Sequence, residues 1–204
     1  KQYLDANKNA LEKFKKMASH FPCDLEEKDA FIYSSTDRKI IEEEIKAYNK
    51  LGISAEFVSS IPLPVECRGA VKIKNQAQFN PLKFLFSVAK NLKIYENTKA
   101  LEFLPQKVIC SGGTVTAKKI IITTHFPIIN KHGGYSLKLY QDRSYVIAVK
   151  NGPDVEGMYL EDKGASFSFR NYKNYLLIGS GGNRTGKKGS GYALSEDFCK
   201  KNFP

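Results

Sequence analysis

The feature that most constrains the fold is a series of short strand-like segments after residue 93. Apolar and polar residues alternate in these segments, and turn residues such as Gly112–Gly113 separate them. Alternation with a period of two is typical of half-buried strands, and tight turns join antiparallel neighbours. Parallel strands would need long crossover connections instead. The pattern therefore predicts a mainly antiparallel sheet, with the run Ile120–Thr123 as one of its buried strands.

Apolar residues recur at helical spacing in segments that would flank this sheet. These segments are 3–18, 36–51 and 80–91. Ser35 or Thr36 is expected to cap the second helix, and Gly52 to end it in a left-handed conformation. Asn80–Pro81 is a strong start for the third, because Asn accepts free N–H groups and Pro has none to lose. Together the helices and strands predict an α+β fold.

The net charge of +11 raises the question of a nucleic-acid partner. The basic residues are spread along the chain, however, and no run of them is longer than two. Such spacing is typical of solvated faces, so the pattern disfavours nucleic-acid binding. No apolar run approaches the roughly 18 residues of a membrane helix, and we expect no membrane segment.

Cysteine and histidine placement argues against a metal site or a disulfide framework. The cysteines stand far apart without a C-x-x-C pair, and the three histidines share no metal-ligand spacing. We therefore expect a reducing, cytoplasmic setting. The chain begins at Lys1 without a visible signal peptide, and we expect it to be cut from a longer protein.

One segment looks like a phosphate-binding loop without completing the pattern. Residues 181–187 match G-x-x-x-x-G-K, but Lys188 stands where Ser or Thr should bind magnesium. Gly189 and Gly191 then interrupt the helix whose N-terminus should hold the phosphate. We interpret 183–204 as a Gly/Lys-rich loop and tail.

Arg170 is the strongest candidate for binding a small molecule. Ser166, Ser168 and Arg170 share one face of a predicted strand, while Phe167 and Phe169 share the other. Arginine is suited to binding a carboxylate through two hydrogen bonds. A solvent-facing arginine at a strand end is the alternative. One or two tyrosines beside the arginine would suit a polar substrate pocket, although tyrosines of this kind are more often core or surface residues than ligands. The candidates are Tyr140, Tyr145, Tyr159, Tyr172 and Tyr175.

His125 is the histidine with the most suggestive position. It ends the predicted buried strand Ile120–Thr123, where a side chain meets whatever lies above the sheet. A hydrogen-bonded turn histidine explains the position equally well.

The order of these elements resembles the middle of the D-amino acid oxidase and glycine oxidase family of FAD-dependent oxidoreductases. The resemblance covers nearly the whole chain and depends on the helix at Asn80–Pro81, the following meander, and the Ser-Phe-Arg segment before Leu176–Gly179. Segments 74–79 and 123–127 look most like bacterial members described as glycine/D-amino acid oxidases, some of which carry an added Rieske domain.

The resemblance implies two interleaved domains. A substrate domain would comprise 23–91 and 134–182, with a mainly antiparallel sheet and flanking helices. Segments 1–22 and 92–133 would belong to the FAD-binding domain, of which the β-meander is a small part. The opening G-x-G-x-x-G of that domain is absent from this sequence, so the fragment alone is expected to be inactive.

The resemblance also implies residues for the cofactor FAD. Lys99 and Ala100 fall where family members contact the adenine side through backbone groups. Thr123, Thr124 and His125 fall where the family's Ala-Thr-Gly lies near the cofactor. His125 replaces the glycine that allows close backbone approach, which is a departure from the family pattern.

The activity implied is oxidation of an amino acid, or a similar amine or carboxylate substrate, by hydride transfer to FAD. Arg170 matches in order the family's substrate-carboxylate arginine, and we place Tyr145 and Tyr159 beside it as substrate-binding residues. No catalytic acid or base is assigned, because the cofactor carries the chemistry. The competing hypothesis is a basic α+β module that binds nucleic acid or an acidic partner.

Overall fold

The computed structural model describes residues 1–129, 133–163 and 167–203. Its helices are α1 (Gln2–Ala18), α2 (Arg38–Lys50), α3 (Pro81–Ala89), α4 (Tyr135–Lys138) and α5 (Ala193–Asn202). Its strands are β1 (Glu26–Ser34), β2 (Ala55–Val58), β3 (Gly69–Gln78), β4 (Ala100–Leu104), β5 (Lys107–Cys110), β6 (Gly113–Thr116), β7 (Asp142–Lys150), β8 (Met158–Glu161), β9 (Ser168–Tyr172) and β10 (Tyr175–Arg184). None of the described helices combines the length and the apolar character that a membrane crossing requires.

The chain forms two compact units. The first comprises Lys1–Phe84 and the chain from Gln141 onward, and the second comprises Leu85–Tyr140. These limits differ from the inferred substrate domain of 23–91 and 134–182, which stays a prediction. Each unit is described separately below.

A seven-stranded sheet forms the centre of the first unit, in the order β2-β3-β1-β8-β9-β10-β7. Every neighbouring pair is antiparallel except β1 with β8. The second unit holds a separate antiparallel sheet in the order β4-β5-β6. The predicted α+β fold is therefore confirmed, with a mainly antiparallel main sheet and a small β-meander.

The core of the first unit lies against one face of the main sheet. Phe31 stacks on Tyr159 across β1 and β8, with ring centroids 4.5 Å apart. Phe169 of β9 is buried and contacts Phe198 of α5, at 5.5 Å between ring centroids. Burial of aromatic side chains of this size supplies much of the apolar area that stabilises a domain.

Local hydrogen bonding explains where the helices begin. The Asn80 side chain accepts a hydrogen bond from the Lys83 N–H at 3.0 Å, as its capping role predicts. Helix α2 is capped by Asp37, whose carboxylate accepts from the Lys39 N–H at 2.8 Å, so the predicted cap at Ser35 or Thr36 is wrong. The Ser34 hydroxyl accepts a hydrogen bond from the Asp37 N–H at 3.1 Å. This bond closes a turn over residues 34–37, and the helix therefore begins only at Arg38.

The predicted buried strand Ile120–Thr123 is wrong. No strand is described between residues 117 and 129, and Ile121 is 82% exposed. A run of β-branched residues forms a strand only when a neighbour accepts its backbone hydrogen bonds. Within the described part of the second unit, β4, β5 and β6 pair with one another and none pairs with this run. Residues 94–95, expected as a strand, likewise lie outside one.

Strand β10 ends at Arg184, two residues inside the segment 183–204 that was interpreted as a loop and tail. Its pairing with β7 shifts register between Ser180 and Asn183 and ends at Arg184. Gly181 lies in this shift with φ +67°. A glycine in the left-handed region is what a bulge of this kind requires. The glycine-rich segment from Gly179 to Arg184 therefore forms the bulged end of a strand.

Candidate functional site

Arg170 lies in the middle of β9 on the sheet face opposite the aromatic core. It pairs with Met158 of β8 and with Leu177 of β10, while the adjacent Phe169 is buried. Cross-strand partners share a face, so the arginine is flanked by apolar side chains. The Arg170 side chain is exposed and makes no hydrogen bond or ion pair within the described residues. Its guanidinium is therefore free to bind an anion.

Arg170 lines a small cavity of about 170 Å³ in the first unit. The cavity lies where β3 and β9 end and α3 begins. Its polar wall is formed by Asp24, Gln78, Asn80, Arg170 and Tyr172. Its apolar wall is formed by Phe79, Pro81, Leu82 and Leu177. Convergent polar groups beside an apolar wall are typical of a small-molecule site.

A hydrogen-bond network fixes the polar wall. The Tyr172 hydroxyl donates to Asp24 Oδ2 at 2.7 Å and accepts from the Asn80 side-chain amide at 2.8 Å. Lys83 donates to both Asp24 oxygens, at 2.8 Å and 2.7 Å. The hydrogen bonds from Lys83 and then from Tyr172 lower the pKa of Asp24. Asp24 is therefore held in its ionised form.

Gln78 completes this wall from the end of β3. It is 5% exposed, and its side-chain amide donates to Glu26 Oε2 at 3.0 Å and to the Asn171 carbonyl at 2.8 Å. Its oxygen Oε1 is buried and accepts no hydrogen bond from the described residues. Buried acceptors are nearly always satisfied, so this unpaired oxygen is an unmet hydrogen-bonding group on a side chain that lines the cavity.

The structure does not bring Tyr145 or Tyr159 to this cavity. Tyr159 is in register with Phe169, so it lies on the core face, where its hydroxyl donates to the Val155 carbonyl at 2.8 Å. Burial raises the pKa of Tyr159 to about 12. Tyr145 lies on β7 and contacts the ring of Tyr192 at 5.1 Å between centroids.

The tyrosine that lines the cavity with Arg170 is Tyr172, and not the expected Tyr145 or Tyr159. It lies two residues after Arg170 on the same strand, and a separation of two residues puts both side chains on one face. That spacing was the available signal in the sequence. Ser166, expected on the same face, lies outside the described residues.

The residues expected near the adenine of FAD lie at the edge of the three-stranded sheet. The Lys99 N–H donates to the Ser111 hydroxyl at 3.1 Å, and the Lys99 carbonyl accepts from the Ser111 N–H at 2.9 Å. Ala100 pairs with Cys110 in the β4–β5 ladder. The backbone groups of Lys99 are therefore already used within the hairpin.

The segment Thr123, Thr124 and His125 forms an exposed turn in the second unit. The Thr124 hydroxyl donates to the Phe126 carbonyl at 2.8 Å, and the Phe126 N–H donates to the Thr124 carbonyl at 2.6 Å. His125 has φ +61°, a conformation that glycine adopts without strain. The backbone at His125 thus adopts a conformation that favours glycine, although the side chain is histidine.

These residues fit only part of FAD. The turn at His125 and the edge strand β4 offer short stretches of backbone. Dinucleotide pyrophosphates are held by a glycine-rich turn that opens a helix, a pattern missing from this sequence. The sequence of this chain therefore supplies no glycine-rich pyrophosphate site for FAD.

A larger groove of about 640 Å³ lies beside α1, but it does not include Arg170. Its lining is mostly apolar, with Leu11, Phe14 and Phe79 among its residues. Elsewhere in the described chain, no group of three or more His, Cys, Asp or Glu side chains is arranged to hold a metal ion. The cavity at Arg170 is therefore the best candidate site.

No family model matches this sequence. A protein of Bacillus subtilis (strain 168), named as the Rieske 2Fe-2S iron-sulfur protein YhfW, is 34% identical over 216 residues. The match covers 96% of this chain and 42% of that protein. The chain thus spans less than half the length of this relative.

Solved structures of amino acid oxidoreductases share the fold. The glycine oxidase from Geobacillus kaustophilus matches with a TM-score of 0.69 and 15% identity, over 88% of this chain and 55% of that one. The L-proline dehydrogenase from P. horikoshii matches with a TM-score of 0.66 and 16% identity, over 89% and 55% of the two chains. The L-amino acid deaminase from Proteus vulgaris matches with a TM-score of 0.55 and 12% identity, over 83% and 46%. The chain therefore shares the fold of about half of each of these oxidoreductases.

Proposed function

We propose that this chain is the substrate-binding part of a flavin-dependent oxidoreductase that oxidises an amino acid, or a similar amine carboxylate. The observation that carries the proposal is the unpaired Arg170 guanidinium in a small cavity, on a fold shared with amino acid oxidoreductases. Bound FAD would supply the acceptor for a hydride from the substrate's Cα.

The residues of this chain would bind and orient the substrate. Arg170 would hold the carboxylate through two charge-assisted hydrogen bonds, which fix both its position and its orientation. Leu177, the cross-strand neighbour of Arg170, would offer an apolar surface beside the bound carboxylate. Holding a substrate in a reactive orientation removes much of the entropic barrier to reaction.

The name of the Bacillus subtilis relative indicates a second cofactor in that protein, a Rieske iron–sulfur cluster. Rieske centres use two cysteines and two histidines. Among the described residues no cluster of these residue types is found. We therefore assign no iron–sulfur cluster to this segment, and any role for one belongs to the complete protein.

The proposal predicts a flavin in the full-length protein. We expect the purified protein to be yellow, because the complete FAD-binding domain would supply the pyrophosphate site. Acid precipitation should release the flavin into the supernatant, where its absorption spectrum can be recorded. A colourless protein whose DNA affinity falls steeply with salt would favour the basic binding module instead.

A further inference from the structure

The Tyr172 hydroxyl has a free acceptor position and no free proton. A phenol has one proton and two acceptor positions. The proton is donated to Asp24 at 2.7 Å, and one acceptor position takes the Asn80 amide at 2.8 Å. Among the described residues no other group donates to this oxygen. One acceptor position therefore remains, and no proton is left to donate to a carboxylate.

The ion pair between Asp24 and Lys83 maintains this arrangement. Lys83 hydrogen-bonds both carboxylate oxygens of Asp24. A carboxylate paired in this way stays ionised and remains an acceptor, so the Tyr172 proton stays directed at it. Asp24 and Lys83 act through Tyr172 and are positioning residues.

Gln78 supplies a second acceptor. Its amide nitrogen donates to the Glu26 carboxylate and to the Asn171 carbonyl. Rotating the amide would set its oxygen against these two acceptors, so the hydrogen bonds fix which atom is Oε1. That oxygen is unpaired, and the side chain lines the cavity. The cavity thus combines one free cation with the acceptor position of Tyr172, and Gln78 in the same wall carries a second unpaired acceptor that is buried.

We propose that Tyr172 and Gln78 recognise the amino group of a substrate whose carboxylate is bound by Arg170. This inference rests on the proposed function and names the residues that determine its specificity. An α-amino carboxylate carries N–H donors one carbon away from its carboxylate. Unpaired acceptors favour a molecule of this kind over a carboxylate without the amine, and the small cavity favours a compact one.

Two acids that differ mainly in the amine test the inference. 2-Aminoisobutyrate has an α-amine but no Cα–H, so it cannot be oxidised by hydride loss, and isobutyrate lacks the amine. We expect the full-length protein to bind 2-aminoisobutyrate more tightly in calorimetric titrations. Tyr172→Phe should reduce that preference about tenfold and leave isobutyrate binding unchanged. Tyr175→Phe is the matched control, because Tyr175 pairs with Tyr172 across the strands but does not line the cavity.

The outcomes separate this inference from the proposed function. Arg170→Gln should weaken binding of both acids, and unchanged affinities in this variant would overturn the carboxylate site itself. An equal affinity of the wild type for both acids would overturn the amine recognition alone. The amine recognition would also be overturned if Tyr172→Phe and Gln78→Met both kept the wild-type preference for 2-aminoisobutyrate over isobutyrate. Failure of both acids to bind the wild type would contradict the carboxylate site and the amine recognition together.

Discussion

Replacing Arg170 by alanine is expected to raise KM for a carboxylate substrate about tenfold or more. The substitution removes the one unpaired cation of the cavity, and hydrogen bonds to charged groups contribute about 1.5 to 3 kcal/mol. Because Arg170 contacts no charged partner within the described residues, its loss leaves no buried charge behind. Steady-state kinetics of the full-length enzyme on an established substrate measure the effect.

The matched control for this variant is Arg143→Ala. Arg143 lies on the exposed edge strand β7 and does not line the cavity. It should leave KM unchanged. An unchanged KM in Arg170→Ala as well would refute the role of Arg170 in binding the substrate carboxylate.

The 204-residue chain itself is expected to bind FAD only weakly. Affinity for a dinucleotide depends heavily on its pyrophosphate, which is held by the N–H groups of a glycine-rich turn and a helix N-terminus. Here the glycines from Gly179 to Gly182 lie in β10, so they extend a sheet and do not open a helix. Titration of FAD into the purified chain, followed by flavin fluorescence, measures the affinity. A submicromolar dissociation constant would show that the chain holds a pyrophosphate site after all.

Features set by neighbouring residues could be predicted from the sequence. The cap at Asn80 and the left-handed Gly52, with φ +74°, follow from local chemistry and are confirmed. The alternating segments likewise predicted most of the strands of the main sheet. Such features depend on hydrogen bonds and side-chain faces within a few residues.

Features that depend on distant partners could not be predicted. The strand expected at Ile120–Thr123 lacks a described neighbour, which its composition cannot reveal. Tyr159 was expected beside Arg170, but the register of β8 and β9 puts it on the opposite face. A one-residue change in register would reverse that outcome.

The candidate site shows the same limit. Arg170 could be chosen because its residue type and strand position suffice to suggest an anion site. The Tyr172 hydroxyl, in contrast, owes its acceptor character to Asp24, which is 148 residues away in the sequence. No pattern within either segment indicates that the two side chains meet.

The central claim is that this chain belongs to a flavin-dependent enzyme that oxidises amine carboxylates. Anaerobic mixing of the full-length protein with individual α-amino acids tests it most directly, with the flavin absorbance as the readout. We predict that at least one small amino acid bleaches the oxidised flavin, and that the corresponding carboxylic acid without the amine does not. A protein without flavin, or a flavin that no amino acid reduces, would contradict the claim.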